Sequence, residues 1–196
     1  MQNTNESVAQ AFLPVSAQGG RSSIAGTIGW TVAGVGALVL MGMAINAAGE
    51  AMKLPYACWQ LTGARAAAST AVIGTLASLR RGHLALFGAL YGAWLMTSHA
   101  SAMLIGSAAA AGVGAWLVGT VLADRGLIVR LLATALTFNV LLTTSGLAKA
   151  LSSEAGSRTT LTSWSAGVGL RALATIVVVG IFALITMKRS AADERG

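Results

Sequence analysis

Charged side chains are scarce in this sequence. Asp, Glu, Lys and Arg together make up 10% of its 196 residues, whereas a soluble domain carries about 25%. A chain with so few charges cannot cover a water-facing surface, and no polar stretch is long enough to enclose a second core. With 55% hydrophobic residues and a mean hydropathy of +0.73, the composition therefore predicts a single membrane domain.

Cysteine, histidine and acidic residues are also few, and each shortage excludes a class of site. The single cysteine, Cys58, cannot form an intrachain disulfide, and we interpret it as a small packing residue. No cluster has metal-ligand spacing, and His83 and His99 lie at different predicted depths, so we expect no metal and no cofactor. Serine elbows, paired intramembrane aspartates and phosphate-binding glycine loops do not occur, so an enzyme is the least favoured class.

Basic residues outnumber acidic ones, 13 to 6, and give a formal net charge of +7. They occur at the ends of apolar segments rather than on one aromatic-bearing face. Juxtamembrane Lys and Arg orient helices and contact anionic lipid headgroups. We therefore expect membrane lipid, and not nucleic acid, as the partner of these residues.

The chain from residue 22 to residue 188 is almost entirely apolar or small, and charges interrupt it only at short places. The intervals between them are about 20 residues long, the length that a helix needs to cross the hydrocarbon core. We predict an all-α bundle of six transmembrane helices at 22–188, between a polar N-terminal tail at 1–21 and a charged C-terminal tail at 189–196. The predicted segments are Ile24–Ala48, Pro55–Leu79, two within Leu84–Ala123, Gly126–Ala148 and Ala166–Met187.

Two boundaries have alternatives. The stretch Leu84–Ala123 would form a helix of about 60 Å, so it must fold back. The polar residues Thr97–Ser101 are the preferred turn, and Gly106-Ser107 is the alternative. The first segment reads as a spanning helix, and the small residues Ala47-Ala48-Gly49 leave a cleaved signal peptide as the alternative.

Six crossings put both termini on one side of the membrane. Seven basic residues fall on that side and three on the other, so the positive-inside rule predicts cytoplasmic termini. We expect a multi-pass protein of a cell membrane, the bacterial cytoplasmic membrane being favoured. The seven are Arg21, Arg80, Arg81, Arg125, Lys188, Arg189 and Arg195, and the three are Lys53, Lys149 and Arg158.

Small residues at helical spacing predict where helices approach closely, because packing drives helix association in lipid. They mark the second, third and fourth segments as central, whereas the bulky run Ile176–Phe182 places the sixth at the periphery. The same stripes would serve a homo-oligomer or a contact with other membrane subunits. The predicted packing positions are Gly63, Ala67, Ala71, Gly74, Gly88, Gly92, Gly106 and Gly114.

Three polar side chains are candidates for a substrate path: Arg65, Asn139 and His99. Arg65 lies near the middle of the second segment, where a charge is expensive and must face the bundle or a wet cavity. The alternative for Arg65 is structural hydrogen bonding or snorkelling, and for Asn139 a bond to a neighbouring helix. Arg130 and Arg171 are close enough to segment ends to snorkel.

Two function classes follow. The first is a small permease, or the membrane subunit of a transporter, with Arg65 and Asn139 along its path, for a small solute of which an anion is the favoured kind. The second is a non-catalytic scaffold or assembly subunit of a larger membrane complex, such as a secretion or transport machine, which the lack of any chemical motif favours.

Overall fold

The computed structural model describes residues 24–55, 58–79, 82–97, 101–145, 147 and 157–193, and this part of the chain is all-helical, without a strand. Three helical stretches of this part are long and apolar enough to cross a membrane: Ile24–Ala51, Ala102–Val121 and Leu161–Thr186. The six helices are α1 (Ile24–Ala51), α2 (Trp59–Leu79), α3 (Leu84–Thr97), α4 (Ala102–Val121), α5 (Leu127–Leu142) and α6 (Ser157–Asp193).

Helices α3 and α5 are short. With 14 and 16 residues, they measure about 21 and 24 Å, less than the roughly 30 Å of a typical hydrocarbon core. Helix α2 has 21 residues but is more polar than α1 and α4. The prediction of an all-helical chain is therefore confirmed for the described residues, of which three helices are long and apolar enough to cross a membrane, and the six-helix transmembrane bundle stays a prediction.

Several predicted boundaries were wrong. Helix α2 begins at Trp59 rather than Pro55, because a turn closed by the bond from Cys58 N to Pro55 O precedes it. Helix α5 ends at Leu142 with a turn at Thr143, whose hydroxyl donates to the Val140 carbonyl, and the described residues 144, 145 and 147 beyond it are again helical. Helix α6 begins at Ser157 and continues to Asp193, because neither glycine nor proline occurs between Ser157 and Ala166 to delay its start.

The preferred turn within Leu84–Ala123 is confirmed. Helix α3 ends at Thr97 and α4 begins at Ala102, whereas Gly106 and Ser107, the alternative, lie inside α4. Ser101 has extended backbone angles (φ −64°, ψ 148°), and its hydroxyl accepts a hydrogen bond from Leu104 N at 3.4 Å. A serine in this position stabilises the start of a helix by occupying one of its free N–H groups.

Consecutive helices run antiparallel, which defines two ends of the bundle. At the His83 end, His83 N donates to Thr31 Oγ1 at 3.0 Å, and the His83 ring stacks on Trp116 with 5.6 Å between the ring centroids. At the Trp164 end, Trp164 Nε1 donates to the carbonyl of Thr143 at 3.0 Å. The loop and terminal residues of the described chain alternate between these two ends.

The core lies between α2, α3, α4 and α5, where Phe87 and Phe138 meet edge to face at 5.7 Å and are fully buried. Helix α2 packs against α1, α5 and α6, and α5 packs against α2, α4 and α6. Helix α4 contributes Ala111 and Ala115 to this core and packs against α3 and α5, although Trp116 and Leu117 remain exposed. Helix α5 is a further central helix that the sequence did not predict, and α6 is peripheral, as the sequence predicted, with 11% of its window buried.

Candidate functional site

Arg65 lies on α2 near the Trp164 end and bonds to α1. Its guanidinium Nη2 donates to Asn46 Oδ1 at 2.8 Å, and its side chain is half-buried. The two helices are close here, because Gly49 of α1 faces Leu61 of α2. A Cβ added at Gly49 would lie 2.7 Å from a Leu61 methyl carbon. Arg65 therefore faces the bundle, in the contact between α1 and α2.

A small cavity of about 160 Å³ opens beside this pair, between α1 and the start of α2. Its lining combines polar and apolar groups, and we refer to it as the Asn46 cleft: Asn46, Glu50, Leu54 and Leu61. Glu50 is exposed, and among the described residues the Asn46 amide nitrogen donates to none. The cleft thus presents a carboxylate acceptor, an amide donor and a neighbouring guanidinium.

The end of α1 shapes one wall of the Asn46 cleft. Lys53 adopts a left-handed conformation (φ 53°), Lys53 N donates to Glu50 O at 3.0 Å, and Leu54 N donates to Gly49 O at 2.9 Å. This pair of bonds is the Schellman arrangement that ends many helices, usually with glycine at the left-handed position. The chain reverses direction at Lys53, so Leu54 packs back against the end of α1 and lines the cleft.

Asn139 lies elsewhere, on α5, and is fully buried. Its amide nitrogen donates to Thr70 Oγ1 at 3.0 Å and to Thr175 Oγ1 at 3.2 Å, and its amide oxygen accepts from Ser69 Oγ at 2.6 Å. One side chain thus connects α2, α5 and α6. We call Ser69, Thr70, Asn139 and Thr175 the amide cluster.

The hydroxyl and amide protons of the amide cluster are all used in hydrogen bonds within the protein. Both threonine hydroxyls donate to backbone carbonyls one turn earlier, Thr70 to Ala66 O at 2.7 Å and Thr175 to Arg171 O at 2.8 Å, and accept from Asn139. An amide nitrogen has two protons, and that of Asn139 has three acceptors within reach, the two threonine hydroxyls and Ala135 O at 3.1 Å. No amide proton of Asn139 is left over for a solute in this conformation.

The structure does not bring the three predicted path residues together. Arg65 bonds to α1, and Asn139 bonds to α2 and α6. His99 lies outside the described residues. Sequence reasoning did not identify Ser69, Thr70 and Thr175 as partners of Asn139, although the adjacent hydroxyls at Ser69-Thr70 and the hydroxyl midway along the apolar part of α6 were visible signals.

The predicted packing positions fall into two groups. Gly88 and Gly92 on α3 lie against α4: a Cβ added at Gly88 would lie 2.6 Å from Ala108 O and 2.6 Å from the Gly112 Cα. Gly114 lies against Thr137 and Leu141 of α5. A Cβ added at Gly63, Gly74 or Gly106 would meet none of the described residues within 4 Å, and Ala67 and Ala71 are half-buried and exposed, respectively.

Arg130, which was expected to snorkel, lies on the first turn of α5 and is 8% exposed. One turn further along the same face, Thr134 is fully buried, and its hydroxyl has no hydrogen-bond partner among the described residues. Arg130 is so little exposed because α5 packs against three other helices, so that neighbouring helices cover its side chain.

Comparisons with known proteins found no matching family, no matching curated protein and no matching solved structure.

Proposed function

We propose that this protein is a multi-pass protein of a cell membrane in which all six helices are membrane segments and both termini are cytoplasmic. The alternation of helix direction and the excess of basic residues on the terminal side support this topology. The short α3 and α5 then require flanking residues or local thinning of the bilayer to complete their crossings.

Reporter fusions at the two termini and in the loop at 52–58 test this topology. Both termini are expected to report the cytoplasm, and the loop the opposite side. Termini on opposite sides would contradict it.

Within this topology, we propose that the protein is a permease or the membrane subunit of a transporter for a small polar solute. The observation that carries this proposal is the Asn46 cleft beside the Arg65–Asn46 bond. Its volume of about 160 Å³ is below the roughly 300–1,000 Å³ of drug-sized sites and has room only for a very small solute. Its donors and acceptors come from α1, whose Gly49 lies close to Leu61 of α2. Because the cleft lies between α1 and α2, a relative movement of these two helices would open it to one side of the membrane or the other.

The charges around the cleft refine the class of solute. Arg65 alone favours an anion, because a guanidinium binds a carboxylate with two parallel hydrogen bonds. The Glu50 carboxylate, which lines the cleft, would repel that anion. A neutral or zwitterionic solute with both a donor and an acceptor therefore fits these side chains better than a simple anion.

Substitutions in and beside the cleft test this proposal. We expect Arg65→Ala to abolish uptake of amino acids or other small zwitterions by cells, with an unchanged amount of protein in the membrane. Arg65→Lys is expected to retain part of the uptake, because a lysine keeps the charge but not the planar fork. Gln60→Ala, at an exposed position of the same helix, is the matched control.

Wild-type uptake in both Arg65 variants would contradict the permease. A second readout needs no transport: Glu50→Gln is expected to remove the thermal stabilisation of the purified protein by its solute.

A second candidate, an assembly subunit, rests on the open faces of α1 and α2. A Cβ added at Gly29, Gly36, Gly63 or Gly74 would meet none of the described residues within 4 Å, so a helix of another membrane subunit can approach these backbones closely. We expect an assembly subunit to copurify with a partner in a fixed ratio and to lose it in Gly63→Leu. A permease that acts alone would keep its uptake in this variant.

A further inference from the structure

The first turn of α5 lies at the His83 end of the bundle, away from the Asn46 cleft. Arg130 occupies the fourth position of α5 and is 8% exposed, yet its guanidinium forms no hydrogen bond or ion pair with any described residue. An arginine in a lipid environment ordinarily pairs with a carboxylate, a carbonyl or a phosphate. Nine-tenths of the side chain is covered by protein while its charged group has no described partner.

The helix end next to Arg130 also lacks a partner. Gly126 precedes α5 with φ −53° and ψ 146° and has no side chain to cap it, and the first helical bond is Arg130 N to Gly126 O at 3.1 Å. The N–H groups of Leu127, Ile128 and Val129 therefore have no intrahelical acceptor. The Cα–Cβ bonds of a helix tilt toward its N-terminus, so the Arg130 side chain leaves α5 on the side of these groups.

Arg130 and the helix start beside it both carry positive charge. The N-terminus of a helix carries a partial positive charge, and a cation in the first turn is unfavourable unless an anion is near. Asp124 is the nearest acidic residue in the sequence, but it is exposed and forms no ion pair with Arg130. The protein itself, in its described part, supplies no anion to this site.

We propose that the first turn of α5 and Arg130 bind the phosphate of an anionic lipid headgroup. Free N–H groups at a helix start and an arginine fork are the two donors that bind phosphate most often. Leu127 and Val129 are exposed apolar side chains on the same turn, so acyl chains can lie beside the headgroup. The net charge of +7 is compatible with such a partner.

The test uses the full chain, purified in an uncharged detergent, with three probes: phosphatidylglycerol, phosphatidylcholine and inorganic phosphate. Binding is followed by native mass spectrometry and by thermal stability. Phosphatidylglycerol is expected to bind and to raise the melting temperature, and Arg130→Gln to weaken this binding about tenfold or more. Two variants serve as controls: Arg125→Gln removes an exposed charge in the preceding turn, and Thr134→Val changes the same face one turn deeper. Both are expected to bind phosphatidylglycerol within about twofold of wild type.

Equal binding of phosphatidylglycerol by Arg130→Gln and wild type would overturn the proposal. So would an equal loss in Arg125→Gln, since general charge attraction would then explain binding, and so would equal binding of inorganic phosphate, since the ligand would then be a free anion. If Arg130→Gln does not fold, Arg130→Lys decides: a lysine retains the charge without the fork, and wild-type affinity in this variant would contradict recognition by the guanidinium.

Discussion

Two contacts hold this bundle together in different ways. Between α3 and α4, Gly88 and Gly112 bring the backbones so close that a Cβ on either would lie 2.6 Å from backbone atoms of the other helix. Between α2, α5 and α6, by contrast, the buried amide of Asn139 contacts hydroxyls from two helices. Lipid tails are as apolar as leucine, so helices in a membrane associate through close packing or through polar bonds. This chain uses close packing between α3 and α4, and polar bonds between α2, α5 and α6.

The glycine contact is the one that substitution should damage most. Gly88→Leu places a side chain where α4 backbone atoms now lie, and backbone cannot give way as a flexible side chain can. We expect a loss of about 3 kcal/mol or more in the free energy of unfolding, measured by reversible unfolding in mixed detergent micelles.

Gly106→Leu is the matched control for this experiment, because Gly106 faces open space on α4. A stability loss in Gly106→Leu as large as in Gly88→Leu would mean that the α3–α4 contact has no special role.

The amide cluster should be less sensitive. Asn139→Leu keeps a similar volume but removes the shared partner of Ser69, Thr70 and Thr175. We expect a loss of about 1–2 kcal/mol, because the two threonine hydroxyls still donate to their own helices and interhelical bonds in membranes contribute modestly. The same unfolding measurement applies, and a variant as stable as wild type would show that the cluster does not hold the three helices.

The smallest expected change in stability comes from removing one buried hydroxyl, and it should depend on whether that hydroxyl is hydrogen-bonded. Thr175 and Thr134 are both fully buried, but only Thr175 has hydrogen-bond partners among the described residues. We expect Thr175→Val to lose about 0.6 kcal/mol. Thr134→Val should be neutral or slightly stabilising, because it removes a buried group that forms no bond. The reverse order of the two variants would contradict the assignment of the amide cluster.

Some of the architecture was predictable from local sequence. The polar run at Thr97–Ser101 marked a turn, since Ser101 has the side chain that begins a helix, and the structure ends α3 and begins α4 there. The bulky residues of α6 marked a peripheral helix for a similar reason, because β-branched and aromatic side chains keep neighbouring backbones apart. Both inferences need only the residues in question and their immediate neighbours.

Other features were not predictable in this way. Arg130 and Arg65 occur in similar apolar surroundings in the sequence, yet the first is 8% exposed on a central helix and the second is half-buried beside a cleft. Asn139 had several potential partners at its depth, and the structure selects Ser69, Thr70 and Thr175. The sequence also did not indicate that α5 is more central than α4, because glycine content reports how closely helices approach and not how many neighbours a helix has.

The sequence by itself therefore determined that this is a helical chain suited to lipid, and where several of its helices begin and end. These properties depend on hydropathy, segment length and capping residues, all of which act over one or two helical turns. Only the tertiary structure decided which polar groups meet and which remain without a described partner. A hydrogen bond across helices depends on the rotation and depth of both, and these are set by the packing of the whole bundle.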